Sequence, residues 1–289
     1  ALALADSKHL TGLRQLDIGG NQISGSGIAR LITSRGLQAL MSLNVGHMEL
    51  AGDGFRSLAC SQMVPCLDSL NAGTNDLTVD DVILLAESEN FPNLTSLDLS
   101  HNEIGSAGLK ALARSPNFRQ LQSLDISHNP IDGPSLEMLG EADSFPNLTR
   151  LNLSYTPLGE GSLAALARSP LLGKLRFLDC SGCDIRDAGV RAVAESAYSR
   201  NLTVLALNRT MIGDAGLVAL ADSPYLSNLR CLDLIGFRIE RHGAEALIQS
   251  SSLTNLKRLR VAGGFVDDRM LAKLTERFGD RCEIFWYPT

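Results

Sequence analysis

Residues 94–104 read LTSLDLSHNEI, and the pattern of this stretch recurs along the whole chain. The frame is L-x-x-L-x-Φ-x-x-N-x-Φ, where Φ is apolar, and it opens every 27 residues without insertion or deletion. The ten opening residues are Leu13, Leu40, Leu67, Leu94, Leu121, Leu148, Leu175, Leu202, Leu229 and Leu256. A fixed period of this length indicates stacked repeats. We number the positions of each repeat as slots, starting from the opening leucine as slot one.

This period and pattern resemble the leucine-rich repeat family. The resemblance implies an α/β fold: a right-handed β-α superhelix with a parallel concave sheet of about ten strands and short helices on the convex face. The unit length and the helix resemble the ribonuclease-inhibitor-like and cysteine-containing-like subtypes and large bacterial families with the same consensus. The resemblance specifies the fold and does not specify a partner.

Each slot has a physical role in the predicted fold. Strand alternation sends Leu97 and Leu99 inward and Ser96 and Asp98 outward. The resemblance implies that the slot-nine asparagines turn inward and hydrogen-bond the backbone of the turn. These are Asn21, Asn75, Asn102 and Asn129. Three other slot-nine side chains can form part of these hydrogen bonds: Thr156, Cys183 and Thr210. The remaining three slot-nine residues cannot: Met48, Phe237 and Gly264.

A helix follows slot eleven, as in IGSAGLKALARSP over residues 104–116. Leu109, Leu112 and Ala113 have the i, i+3, i+4 spacing of an amphipathic helix that faces the core. We expect Ser115-Pro116 to end the helix, because proline disfavours helical geometry in the residue before it.

The repeat frame also predicts the domain organisation. Residues 1–12 align with residues 217–228, so we expect them to be the C-terminal half of a truncated repeat. Residues 13–266 are the predicted solenoid of ten repeats, the last running into a cap. Residues 267–289 depart from the frame and are predicted to be a capping helix and strand, with Phe285 and Trp286 covering the open end of the core.

Composition and charge restrict the function classes. A hydrophobic content of 44% with 20% charged residues is typical of a folded protein. The net charge of −6 argues against nonspecific binding of nucleic acid. The charge is uneven, with 8 Lys/Arg and 17 Asp/Glu in residues 1–144 but 18 and 15 in residues 145–289. Such asymmetry bears on how a partner is oriented.

The sequence shows no signal peptide and no run near the ~20 apolar residues that span a bilayer, so we expect no membrane association. The six cysteines form no terminal cluster, which favours a reducing compartment and a cytoplasmic location. A bacterial protein translocated as an effector is the alternative. We expect a monomer.

The concave face is where this family usually binds, and its outward slots change in composition at the sixth repeat. Before it the slots are small and polar. From it onward they carry aromatic and basic residues typical of interface hot spots, namely Arg150, Tyr155, Phe177, Val204 and Arg209. A second candidate is the basic and aromatic rim formed by Arg258 and Arg260, with Lys257, Phe237 and Phe265 nearby.

Residue types that bind metals or catalyse reactions occur without a convincing pattern. His101 and His128 share slot eight beside Asp98 and Asp125, but ordinary exposed residues are the favoured interpretation over a metal site. Cys180-x-x-Cys183 lacks the second pair that a zinc site needs, and the frame places both cysteines in the core. The sequence contains no G-x-S-x-G, phosphate loop or H-E-x-x-H. We therefore predict no catalytic residue, no metal site and no cofactor.

These observations favour a non-catalytic scaffold that binds a protein partner on its concave face. Two alternatives remain open at this point. The chain could be the substrate-recognition arm of a larger enzyme or effector of the ubiquitin-ligase type. It could also be a receptor whose polar first half binds a glycan or another polar ligand.

Overall fold

The structure is a computed structural model that describes residues 2–7, 9–61, 64–141, 145–236, 240–263 and 268–286. The chain divides into two compact bodies. We call residues 1–131 with 142–148 the N-terminal body, and residues 132–141 with 149–289 the C-terminal body. Each is described by itself.

Short strands and helices alternate in the N-terminal body. The strands are β1 (Gln15–Asp17), β2 (Ser42–Asn44), β3 (Ser69–Asn71), β4 (Ser96–Asp98) and β5 (Ser123–Asp125). The helices are α1 (Leu2–Ala5), α2 (Gly25–Ile32), α3 (Asp53–Ala59), α4 (Val79–Glu87) and α5 (Gly105–Arg114), with 3₁₀ turns at Arg35–Leu37 and Pro116–Phe118.

The C-terminal body continues the same alternation. Its strands are β6 (Arg150–Asn152), β7 (Phe177–Asp179), β8 (Val204–Ala206), β9 (Cys231–Leu234), β10 (Arg258–Gly263) and β11 (Cys282–Trp286). Its helices are α6 (Gly133–Glu141), α7 (Ser162–Arg168), α8 (Pro170–Lys174), α9 (Asp187–Glu195), α10 (Asp214–Asp222), α11 (Arg241–Gln249) and α12 (Asp268–Phe278), with 3₁₀ turns at Ala197–Asn201 and Gly279–Arg281.

Within each body, strands adjacent in sequence pair in parallel. Leu16 lies beside Leu43, and Leu43 beside Leu70, so equivalent slots of successive repeats are neighbours. The same register holds in the C-terminal body, where Leu178 pairs with Leu151 and with Leu205. The predicted fold class, a leucine-rich repeat solenoid of parallel strands and short helices, is confirmed.

The core lies between the strands and the helices. In the fourth repeat Leu97, Leu99, Leu109 and Leu112 are buried, as the two periodicities predict. Helix α5 ends at Arg114 with Ser115 as its C-cap, and Pro116 begins a 3₁₀ turn, as expected. The Ser115 hydroxyl donates to the carbonyl of Ala86 in the preceding repeat (2.5 Å), so the serine also joins two repeats.

The slot-nine asparagines form the predicted ladder inside the turns. Asn102 Oδ1 accepts from the backbone N–H groups of Asn75 (3.0 Å) and Leu77 (2.9 Å). Its Nδ2 donates to the carbonyls of Ala72 (3.1 Å) and Leu99 (2.9 Å). These bonds satisfy buried backbone groups of two repeats with one side chain. Cys183 takes part in the same way, donating from Sγ to the Leu153 carbonyl (3.1 Å).

The expected C-terminal cap corresponds to α12 and β11. Strand β11 pairs in parallel with β10, Leu259 lying beside Cys282. The side chains of Phe285 and Trp286 lie outside the described residues, as do Phe237, Gly264 and Phe265, so the covering role stays a prediction. Among the described helices, none combines the length and apolar character that a membrane crossing requires.

Candidate functional site

The candidate site is the solvent-facing side of the sheet in the C-terminal body. Register places the slot-three residues of β6 to β9 side by side, in the order Arg150, Phe177, Val204 and Cys231. Neighbouring strands are ~4.8 Å apart, so these side chains are in mutual reach. The structure thus brings together three of the residues that the sequence singled out.

Arg150 and Phe177 form a direct contact within this surface. The Arg150 guanidinium carbon lies 4.1 Å from the centroid of the Phe177 ring, a cation–π arrangement. Arg150 is exposed and Phe177 is half-buried. The stacked guanidinium retains N–H donors at its edge, so the pair presents an apolar surface bordered by hydrogen-bond donors.

Tyr155 and Arg209 lie at slot eight, where the backbone is left-handed. Their φ angles are 55° and 53°. The next repeat has glycine at the equivalent position in both cases. A Cβ on Gly182 would lie 2.5 Å from Tyr155 Cδ1, and one on Gly236 would lie 2.6 Å from Arg209 Cγ. Each large side chain therefore lies directly on a glycine that leaves room for it.

The left-handed geometry of slot eight is a feature that our sequence reasoning missed. The slot-eight residues of the first five repeats also have positive φ, namely Gly20, His47, Thr74, His101 and His128. Glycine at slot eight in Gly20, Gly182, Gly236 and Gly263 was the signal that could have revealed it, because glycine adopts positive φ without a Cβ penalty.

We name Arg150, Tyr155, Phe177, Val204 and Arg209 the sheet-face patch.

Arg258 and Arg260, the second candidate, do not form an open basic rim. Arg258 Nε lies 3.7 Å from Asp233 Oδ1, and Arg260 contacts both Asp233 (3.9 Å) and Glu283 (3.1 Å). Asp233 is buried, and burial raises the pKa of its carboxyl although the two arginines lower it. Both arginines thus balance local carboxylates, which leaves less of their charge for a partner.

The slot-five Asp and Asn residues have a structural role that the sequence did not reveal. Asp98 Oδ1 accepts from the Ser100 N–H (2.9 Å), and Asn71 Oδ1 accepts from the Gly73 N–H (2.9 Å). The same bond recurs at Asp17, Asn44, Asp125, Asn152 and Asp179. These side chains cap the start of the turn after each strand. They are not a free acidic column.

His101 and His128 lie together but do not converge on a cation. Their rings stack with centroids 3.7 Å apart and planes 13° apart. The neighbouring carboxylates of Asp98 and Asp125 are engaged by the turns of Ser100 and Ser127. Within the described ranges, no group of three or more His, Cys, Asp or Glu side chains could hold a metal ion.

A family model described as leucine-rich repeat matches five segments of the chain: residues 9–31, 92–113, 119–140, 174–194 and 198–221. Each segment lies within the repeating frame. The matched segments are leucine-rich repeats. No curated protein matches it.

Solved structures of other proteins are similar to this chain. An internalin (inlF) from Listeria monocytogenes is 18% identical, with a TM-score of 0.50, over 97% of this chain and 88% of that one. Internalin C2 (inlC2) from the same organism is 20% identical over 83% of this chain and 84% of its own, with a TM-score of 0.49. TLR13, solved as a complex with ssRNA13, is 18% identical with a TM-score of 0.48. That likeness covers 89% of this chain but 40% of TLR13.

Proposed function

We propose that this leucine-rich repeat protein is a non-catalytic scaffold that binds a protein partner through the sheet-face patch. The observation that carries the proposal is the stack of Arg150 on Phe177, open to solvent on adjacent strands of a rigid sheet. Tyrosine and arginine are the residue types enriched at interface hot spots. The Arg150 guanidinium and the Phe177 ring already contact each other, so these two side chains lose less rotamer freedom when a partner binds.

Packing in the core does not account for the patch. The inward slots of β6 and β7 are filled by Leu151, Leu153, Leu178 and Cys180, all buried. Phe177 points to the opposite side of the strand, and the Tyr155 side chain remains 41% exposed. Exposed aromatic rings beside arginine are a composition that favours association with another protein.

The partner chemistry follows from the patch. Arg150 and Arg209 offer guanidinium groups, while Phe177, Tyr155 and Val204 offer apolar area. A complementary protein surface would place carboxylates against the two arginines and an aliphatic or aromatic side chain against the Phe177 ring. A cytoplasmic location belongs to the same proposal and rests on the cysteine pattern of the sequence.

Comparative affinity capture tests the proposal. The bait is the chain, and the variant carries Arg150→Glu, Tyr155→Ala, Phe177→Ala and Arg209→Glu. The control carries matched changes on the helical side of the same body, Arg168→Glu, Tyr198→Ala and Arg191→Glu. We expect mass spectrometry of a lysate from the source organism to find a protein retained by the wild type and the control and lost by the patch variant. Equal retention by all three baits would contradict the proposal.

A further inference from the structure

A second surface lies at the edge of the sheet where the strands of the C-terminal body begin. It is an open groove with a volume of about 470 Å³. Its lining comes from the last slot of each repeat, just before the next opening leucine, and from slot two, just after that leucine. The residues are Arg176, Thr203, Arg230 and Lys257 from slot two, with Asn201, Asn228 and Asn255.

The three cations of this groove have no counter-charge within the part of the chain that is described. Arg176, Arg230 and Lys257 are exposed, and their side chains form no ion pair or hydrogen bond with a described residue. The described residues that line the groove include no carboxylate. This contrasts with Arg258 and Arg260 on the neighbouring strand positions, which face Asp233 and Glu283. The groove therefore holds three uncompensated positive charges in a chain that is acidic as a whole.

The asparagines between these cations are held in a fixed orientation. Asn201 Nδ2 donates to the Gly173 carbonyl (2.5 Å), Asn228 Nδ2 to that of Arg200 (2.8 Å) and Asn255 Nδ2 to that of Ser227 (2.8 Å). Each bond uses one of the two amide N–H groups. The second N–H and the Oδ1 atom of each asparagine find no partner among the described residues and stay available to a ligand.

An available N–H and C=O on one amide match the two polar groups of a peptide unit. A nucleic-acid backbone offers phosphate oxygens, which accept but do not donate, so it would leave the Asn Oδ1 atoms unsatisfied. None of the described residues that line the groove is aromatic, so they offer no ring on which a base could stack. The groove thus favours a polypeptide over a single-stranded nucleic acid.

The spacing of the cations fits an extended chain. Arg176 and Arg230 lie two repeats apart, and Lys257 lies one repeat further along. Neighbouring strands are ~4.8 Å apart, so the row of cations is ~14 Å long. An extended peptide rises ~3.3 Å per residue, so about five residues cross the groove. Carboxylates on alternate residues of such a segment lie ~6.6 Å apart and would meet the row of cations.

We propose that this groove is a docking site for an acidic, extended polypeptide segment, bound by Arg176, Arg230 and Lys257 and aligned by the three asparagines. The site is separate from the sheet-face patch, and neither proposal depends on the other.

Fluorescence anisotropy with a defined probe tests the groove. The probe is a short fluorescein-labelled peptide that alternates Asp and Ser, measured at ~0.01 M ionic strength, where the Debye length is ~30 Å. A single-stranded oligonucleotide of equal net charge is measured in parallel. The groove variant is Arg176→Glu with Arg230→Glu and Lys257→Glu. The control, with the same change in net charge, is Arg168→Glu with Arg191→Glu and Lys273→Glu on exposed helix positions.

We expect the groove variant to lose at least about tenfold in affinity for the peptide and the control to stay within about threefold of the wild type. The variant with Arg150→Glu and Phe177→Ala should keep near wild-type affinity, which separates this test from that of the sheet-face patch. Thermal melts should show that all variants fold. Three results would overturn the proposal: equal losses in groove variant and control, tighter binding of the oligonucleotide than of the peptide, or no binding of the peptide to the wild type.

Discussion

Single asparagine side chains join neighbouring repeats through hydrogen bonds to the backbone. Asn75 and Asn102 are buried, and each bonds backbone groups of its own repeat and of the one before. Repetition in the sequence located these residues, and the family resemblance implied their inward orientation. The individual partners could not be predicted, because they depend on how the turn backbone of one repeat is placed against the next.

We predict that Asn102→Ala destabilises the protein by about 3 kcal/mol, since two buried N–H groups and two carbonyls lose their partner at ~1–3 kcal/mol for each unsatisfied group, partly relieved by relaxation. Asn21→Ala is the control. Asn21 is exposed, and within the described part of the chain its side chain bonds two carbonyls of its own repeat, those of Ile18 and Gly19, so the loss of this side chain should cost about 1 kcal/mol or less. Urea unfolding of both variants measures the loss in free energy of unfolding. Equal losses would contradict a stabilising role for the hydrogen bonds that Asn102 makes between repeats.

Asp98 illustrates an electrostatic cost within the slot-five column. Burial raises the pKa of its carboxyl above the ordinary 3.8, and the charge of Asp125 acts in the same direction. The folded state then disfavours the ionised form more than the unfolded state does. Stability therefore falls as pH rises from about 3.8, and the loss is complete once the pH is above the folded-state pKa.

We predict that Asp98→Asn stabilises the protein at pH 7, because asparagine keeps the acceptor for the Ser100 N–H, as Asn71 does for Gly73, without the charge. The gain should shrink as pH falls and vanish below the ordinary pKa of 3.8, where the carboxyl is protonated in both states. Asn71→Asp is the reciprocal variant and should destabilise at neutral pH. Melting temperatures measured across pH decide this; a pH-independent gain would be inconsistent with the electrostatic cause.

At the scale of the strand-to-turn element, slot eight determines where the large side chains of the site lie. The left-handed backbone turns Tyr155 onto Gly182. Alternation along the strand predicted that slots three and five face outward. The repeat frame also assigned Tyr155 and Arg209 of slot eight to that face. It could not predict their left-handed backbone, because slot eight lies beyond the strand, where the turn sets the conformation.

We predict that Gly182→Ala costs more stability than Gly20→Ala. The two glycines have nearly the same φ, +68° and +67°, so the backbone cost of about 1–2 kcal/mol is shared. Only at Gly182 would the new Cβ meet a side chain, the Tyr155 ring, whereas the Gly20 position is open. We expect an additional cost of about 1 kcal/mol at Gly182.

Tyr155→Ala completes the cycle. In that background the costs of Gly182→Ala and Gly20→Ala should become equal, because the ring no longer occupies the space. Chemical denaturation of the four variants measures the coupling. A gap that persists without the Tyr155 ring would mean that the ring does not lie on the glycine.

The thiols differ according to the layer of the fold in which they lie. Cys180 and Cys183 are buried in the core, and burial raises the pKa of both thiols, while Cys60 and Cys66 are exposed. We predict that iodoacetamide at pH 8 labels Cys60 and Cys66 in the native protein and labels Cys180 and Cys183 only after unfolding. Peptide mass mapping provides the readout. Native labelling of Cys183 at the rate of Cys66 would contradict its place in the slot-nine ladder.

For the molecule as a whole, the period of 27 residues in the sequence predicted the fold, because a repeat cannot bury its apolar face without its neighbours. The functional surface was only partly predictable. Register alone places Arg150 beside Phe177. The pairing of Arg260 with Glu283 was not foreseen, because β11 lies outside the repeating frame and brings Glu283 into the sheet.

Two tyrosines of the C-terminal body allow a direct test of the central claim that a protein partner binds the sheet-face patch. Tyr155 on the patch and Tyr198 on the helical side are 41% and 42% exposed, so their intrinsic reactivities toward solvent radicals should be similar. The measurement is hydroxyl-radical footprinting of the chain with and without its captured partner, read by mass spectrometry. We predict that the partner protects Tyr155 and Phe177 and leaves Tyr198 unchanged. Protection of Tyr198 with full reactivity at Tyr155 would contradict it.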